Sequence, residues 1–135
     1  MVEAPHRIRV LFADPEGDWH RQAVALLEPR GVEAIGVRTG REALDRLEHE
    51  QVHVAVLDAQ MPQLGGLQVV KMLRTREKAP PAILLAREVS SSLMHEALQM
   101  RVFSVLTKPV DLTLLLNTLA RVVDRHYAGR WPGQS

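Results

Sequence analysis

The sequence predicts an α/β fold in which one five-stranded parallel sheet carries helices on both faces. Three observations carry that prediction. Five short apolar runs alternate with five longer amphipathic stretches. Gly and Pro punctuate the boundaries, at Pro29, Gly31, Pro62, Gly65, Gly66, Pro80 and Pro81. Charged residues stand directly behind several of the apolar runs, as at Asp14, Asp58, Arg87 and Lys108. Strand–helix alternation of this kind builds parallel sheets, because each return to the same edge needs a crossover helix, and those crossovers are right-handed.

The elements follow in order. Residues 8–13 form a compact apolar run ending at Asp14-Pro15, the pattern of a buried strand. Trp19, Ala23, Leu26 and Leu27 fall on one helical face, Asp18 is placed to cap that helix, and Pro29 and Gly31 close it. Residues 32–37 make a weaker second strand, and residues 41–50 a helix with Ala43, Leu44 and Leu47 inward. The third strand, 52–57, ends at Asp58. After the Met61-Pro62 turn and the Gly65-Gly66 pair, residues 67–74 give a helix with Val69, Val70 and Leu73 on its inner face. Residues 82–85 supply the fourth strand and 90–100 a short helix whose serines can cap its start. Residues 102–106 supply the fifth strand, and Asp111 caps a long last helix carrying Leu114, Leu115, Leu119, Val122 and Val123. Leu114, Leu115 and Leu116 cannot all face one core, since successive residues are about 100° apart on a helix. One of the three is expected at the surface or against a partner. The domain is expected over residues 1–128, with 129–135 a fraying, flexible tail rich in Gly and Pro.

Composition narrows the function classes. The 135 residues suffice for one domain with its own core, and 46% hydrophobic against 24% charged residues is an ordinary globular balance. A net charge of +1 argues against electrostatic nucleic-acid binding, so no nucleic-acid partner is expected. Without cysteine there are no disulfides, thiolate metal sites or thiol nucleophile. The apolar runs are too short to span a bilayer and no leader pattern opens the chain, so no membrane partner and a cytoplasmic setting are expected. The six histidines show no metal-ligand spacing, and His49 and His95 are expected on helix surfaces.

In an open parallel sheet the ligand sits beyond the carboxyl ends of the strands, where strand order reverses. Asp14, Asp58, Arg87 and Lys108 stand behind the first, third, fourth and fifth strands. Two carboxylates and an ammonium at one sheet edge suit a divalent cation together with a phosphoryl group. A carboxylate can serve as nucleophile and form an acyl phosphate, and a lysine can hold the phosphoryl oxygens. Arg87 is expected to be a plain surface residue.

Here the motifs resemble those of a known family. Asp58 followed by Met61-Pro62 and Gly65-Gly66, Thr107-Lys108-Pro109 behind the fifth strand, and residues 10–16 ending in an acidic cluster are together similar to the receiver domain of bacterial response regulators, a chemotaxis-type (βα)5, flavodoxin-like fold. The likeness spans residues 7–125. It implies two-component signal transduction: Asp58 accepts a phosphoryl group from a histidine kinase or phosphotransfer protein, and Lys108 contacts that group. It implies Mg2+ held by Asp14, Asp58 and the backbone carbonyl of Gln60, with Glu16 as a further ligand. It implies no enzyme beyond slow self-dephosphorylation. It also implies an output or homodimer surface made by the fourth helix, fifth strand and fifth helix.

Three positions depart from the family pattern. Aligning Trp19, Leu26 and Gly31 with the family's first helix puts Asp14 at the first acid and Pro15 where the second, metal-ligating acid belongs. A one-residue shift would make Asp14 that second acid and Ala13 the first; the unshifted alignment keeps the helix in phase. Ala86 stands where the family carries Thr or Ser, and Val105 where it carries Tyr or Phe, so the hydroxyl–aromatic switch is missing. Two readings follow: a phosphoryl-accepting receiver with magnesium weakened by Pro15, and a degenerate receiver acting as a phosphorylation-independent interaction module. A flavodoxin-like nucleotide or flavin binder is the third, and it lacks a glycine-rich loop after the first strand.

Overall fold

The computed structural model describes residues 7–77, 79–128 and 131–132. Five strands, β1 (Arg9–Ala13), β2 (Glu33–Val37), β3 (Val54–Asp58), β4 (Ala82–Ala86) and β5 (Ser104–Thr107), form one sheet in the order β2-β1-β3-β4-β5. All neighbouring pairs are parallel. The helices are α1 (His20–Leu27), α2 (Gly40–His49), α3 (Gly66–Thr75), α4 (Ser91–Gln99) and α5 (Leu112–Tyr127).

The central strands β1, β3 and β4 are buried almost throughout, which is why they appear in the sequence as unbroken apolar runs. Their side chains alternate between two cores. Leu11, Ala13, Ala55, Leu57 and Leu84 point to the side closed by α2 and α3, meeting Ala43, Leu44, Leu47, Val69, Val70 and Leu73. Val10, Phe12, Val54, Val56, Ile83 and Leu85 point to the side closed by α1 and α5, meeting Ala23, Leu27, Leu115, Leu119, Val122 and Val123. Of the three consecutive leucines, Leu115 is buried and Leu114 is exposed, as helical geometry required.

The caps follow sequence. Thr39 accepts from the Glu42 amide, Ser90 from Leu93 and Asp111 from Leu114. Asp18 does not cap α1: it lies inside a 3₁₀ turn, Gly17–Trp19, that precedes the helix, and Trp19 holds the cap position without a side-chain bond. Gly31, at φ 82°, supplies the left-handed residue that ends the 3₁₀ turn after α1.

Most of the expected flexible tail, like residues 1–6, lies outside the described residues. Trp131 does not fit the expectation of fraying: it is buried in the core on the α1–α5 side. Among the described residues no helix is long and apolar enough to cross a membrane.

Candidate functional site

The carboxyl ends of β1, β3 and β5 bring three predicted residues into contact. Asp14 follows β1 directly, Asp58 is the last residue of β3, and Lys108 follows β5. The strands hold them in place. Ala13 pairs with Leu57, Asp58 with Leu85 and Ala86 with Thr107, and the Lys108 amide donates to the Ala86 carbonyl at 2.9 Å. The Lys108-Pro109 peptide bond is cis. Lys108 Nζ lies 2.8 Å from Asp58 Oδ2, 2.9 Å from Asp14 Oδ2 and 3.0 Å from Asp14 Oδ1.

Asp14 is fully buried and fully engaged. Beyond Lys108, its Oδ1 accepts the Glu16 amide at 2.8 Å and its Oδ2 the Trp19 indole N–H at 2.7 Å. Burial alone would raise this carboxyl's pKa; the hydrogen bonds from Lys108, Trp19 and the Glu16 amide outweigh it and hold the carboxyl below its usual range. Lys108 shows the mirror image. Burial would lower its pKa, and the bonds to Asp58 and Asp14 raise it above the usual lysine value. Asp58 is 5% exposed and accepts the Gln60 amide at 2.9 Å on its other oxygen. About two of its four lone-pair sites are therefore uncommitted, whereas both oxygens of Asp14 are doubly engaged.

Asp14 follows the strand while Ala13, its last residue, packs into the core on the α2–α3 side. The Pro15 carbonyl accepts from Arg38 at 3.4 Å. Glu16 Oε1 reaches to 3.7 Å from Lys108 Nζ, and its Oε2 pairs with the Arg87 guanidinium. Ala86 is buried and carries no donor toward Asp58, and Val105 is a half-buried core side chain.

Two contacts here were not legible beforehand. Trp19 read as an inward helix residue and turns out to donate to Asp14; Arg87 read as a plain surface residue and pairs with Glu16 across the site. His20 sits behind Trp19, edge-on at 4.7 Å between ring centres, and its Nε2 is buried with no partner among the described residues. Burial lowers the pKa of its ring. His49 and His95 are exposed on their helices.

By donor chemistry the site suits magnesium, since the carboxylates of Asp58 and Asp14 and the Gln60 carbonyl are hard oxygen donors. Among the described residues, no group of three His, Asp or Glu side chains is already gathered around a cation position. Lys108 holds the space between the two aspartates, and Asp14 has no oxygen turned outward.

The profile of the response regulator receiver domain matches residues 10–120. The chain belongs to that family. Receiver domains are signalling modules of two-component systems rather than enzymes, they interact with histidine kinases or phosphotransfer proteins, and as a family they bind Mg2+ at an acidic site. Among its relatives this receiver is 29% identical over 125 residues to Response regulator RR06 of Streptococcus pneumoniae, covering 89% of this chain and 55% of that protein. The chain thus spans about half of that relative's length. Among solved structures, the receiver domain of the Francisella response regulator 1452 superposes with a TM-score of 0.80 at 27% identity, covering 88% of this chain and 98% of the other. A CheY-like receiver from Methanospirillum hungatei JF-1 gives 0.82 at 21% identity, covering 89% and 96%, and shows the shared fold.

Proposed function

We propose that this receiver accepts a phosphoryl group on Asp58 from the phosphohistidine of a histidine kinase or phosphotransfer protein. The observation that carries the reading is the contact of Lys108 Nζ with Asp58 Oδ2, 2.8 Å, at the edge where three strands end. An Asp58 oxygen attacks phosphorus, the P–O bond forms, and the P–N bond to the donor imidazole breaks with the electron pair leaving on nitrogen. Lys108 then balances charge on the phosphoryl oxygens, the positioning-plus-electrostatics contribution expected in phosphoryl transfer. Asp14 acts one step removed, holding the ammonium beside Asp58.

Asp58 and the Gln60 carbonyl would hold Mg2+, with Asp14 behind Lys108 as the next carboxylate. When bound, the ion neutralises charge on the transferring group. A cytoplasmic setting goes with this chemistry. Leu98 at 72% exposure and Leu114 at 45% leave apolar side chains on α4 and α5, which supports contact with a partner or second copy through the α4–β5–α5 face.

The test is intact-protein mass after incubation with acetyl phosphate and Mg2+. A gain of about 80 Da, absent in Asp58→Asn, is expected from an acyl phosphate. If neither acetyl phosphate nor a histidine kinase produces it, the second reading takes its place. That reading, a phosphorylation-independent interaction module, is favoured by the complete engagement of Asp14 and by Pro15, Ala86 and Val105.

A further inference from the structure

The ion pair of Glu16 and Arg87 joins the loop after β1 to the loop after β4. In the sheet order β2-β1-β3-β4-β5, the strand between those two is β3. The pair therefore crosses over the carboxyl end of β3, where Asp58 sits. Adjacent strands are about 4.8 Å apart, so the bridge spans roughly 10 Å of sheet edge. The Glu16 carboxylate lies between two cations: Oε2 on the Arg87 guanidinium, and Oε1 3.7 Å from Lys108 Nζ. That ammonium is itself 2.8 Å from Asp58. An anion from the chain thus stands over the acceptor, flanked by the cation that touches Asp58 and by a second one that does not.

Nothing in the packing demands this pair. Both side chains are more than half exposed, at 55% and 59%, and an exposed pair of this kind contributes little to stability. The neighbouring position, Ala86, has no hydroxyl to offer a phosphoryl group. Arginine has a planar fork of donors that matches phosphoryl oxygens, and it stands one residue further on.

We propose that the Glu16 carboxylate is a built-in stand-in for the phosphoryl group, and that loading of Asp58 displaces it so that Arg87 and Lys108 together hold the phosphoryl oxygens. This inference rests on Asp58 as acceptor and adds the residue that replaces the missing hydroxyl. A phosphoryl group carries about two negative charges against one on Glu16, which sets the direction of the exchange. The β4–α4 loop, residues 87–90, moves with Arg87, and it carries the exposed Val89.

The test uses beryllofluoride, a non-covalent phosphoryl mimic, with binding followed by calorimetry on the whole chain at a magnesium concentration high enough that further addition changes nothing. Arg87→Ala should weaken binding roughly tenfold or more, the loss of a charge-assisted hydrogen bond. Arg87→Lys should recover part of the loss. Glu16→Gln should strengthen binding, because it frees Arg87. Both Arg87→Ala and Glu16→Gln break the same bridge, so a merely structural bridge would move both in one direction; that result overturns the proposal. So does unchanged binding in Arg87→Ala while the parent binds, and Asp58 would then stand as acceptor without Arg87. A parent that neither binds beryllofluoride nor gains mass from acetyl phosphate removes both readings together.

Discussion

The Trp19 indole nitrogen donates to Asp14 Oδ2 at 2.7 Å, and the carboxylate receiving it has no exposure to solvent. Replacing the indole by a ring without a donor leaves a buried anionic oxygen one bond short. Trp19→Phe should cost about 1–3 kcal/mol in urea unfolding. A cost near zero would mean that Lys108 alone satisfies that oxygen.

Lys108 balances two buried acids, so its removal and that of Asp58 are unequal. Lys108→Met leaves Asp14 and Asp58 together without a cation and should cost about 3–5 kcal/mol. Asp58→Asn leaves the Lys108–Asp14 pair in place and should change stability by roughly 1 kcal/mol or less. Equal costs measured by denaturant unfolding would contradict the shared-ammonium arrangement.

His20, Asp14 and Lys108 set a pH dependence with two acid stages and one alkaline stage. His20 has its pKa lowered by burial, so the folded state resists its protonation, and stability falls as pH drops below about 6.5. Asp14 is held below its usual value: burial opposes ionisation, and Lys108, Trp19 and the Glu16 amide outweigh it. Its contribution is fully present above the unfolded value of about 3.9 and is lost as pH falls through the lower folded value. Lys108, raised by Asp58 and Asp14 against its burial, contributes below about pH 10.4 and loses that contribution as pH rises through its folded value. Urea midpoints followed from neutral to acid pH should show both acid stages in the parent. His20→Phe should remove the upper one only.

A Cβ on Gly66 would meet the Asp58 carbonyl oxygen at 2.7 Å and Leu57 Cβ and Leu84 Cδ2 at 3.0 Å. Gly66→Ala therefore pushes on the end of β3 itself. It should cost about 1–3 kcal/mol and slow acyl phosphate formation. The mass gain with acetyl phosphate, timed against the parent, measures the second effect.

The sheet was legible because β1, β3 and β4 are buried on both faces and so run as continuous apolar segments. Legibility fell off at the edges. The fifth strand, expected at 102–106, is Ser104–Thr107, since Val102 and Phe103 spend their amides on the Ala97 and Ala82 carbonyls while the chain turns in from α4. Asp14, Asp58 and Lys108 could be placed because each stands at a strand end, where the sheet register fixes its neighbours. Trp19 could not, since helical periodicity sent it to the core and the 3₁₀ turn that redirects its indole leaves no periodic trace. Glu16 and Arg87 are 71 positions apart, and no local pattern links them. Trp131 was hidden by the Gly and Pro around it, although one aromatic side chain buries enough apolar surface to hold a chain segment down.

The shared ammonium also bears on how the molecule assembles. Lys108 lies 50 positions beyond Asp58 and 94 beyond Asp14. A chain emerging from the ribosome amino end first can pair β1 with β3, and so bring two acids side by side, while the Lys108 ammonium they share is still unmade. Until β5 docks at the far edge, that half-built sheet carries an internal repulsion, which the last strand cancels. Asp58 thus reaches its folded environment only once the whole domain is closed, and under the proposed function a truncated or stalled chain should gain no mass from acetyl phosphate.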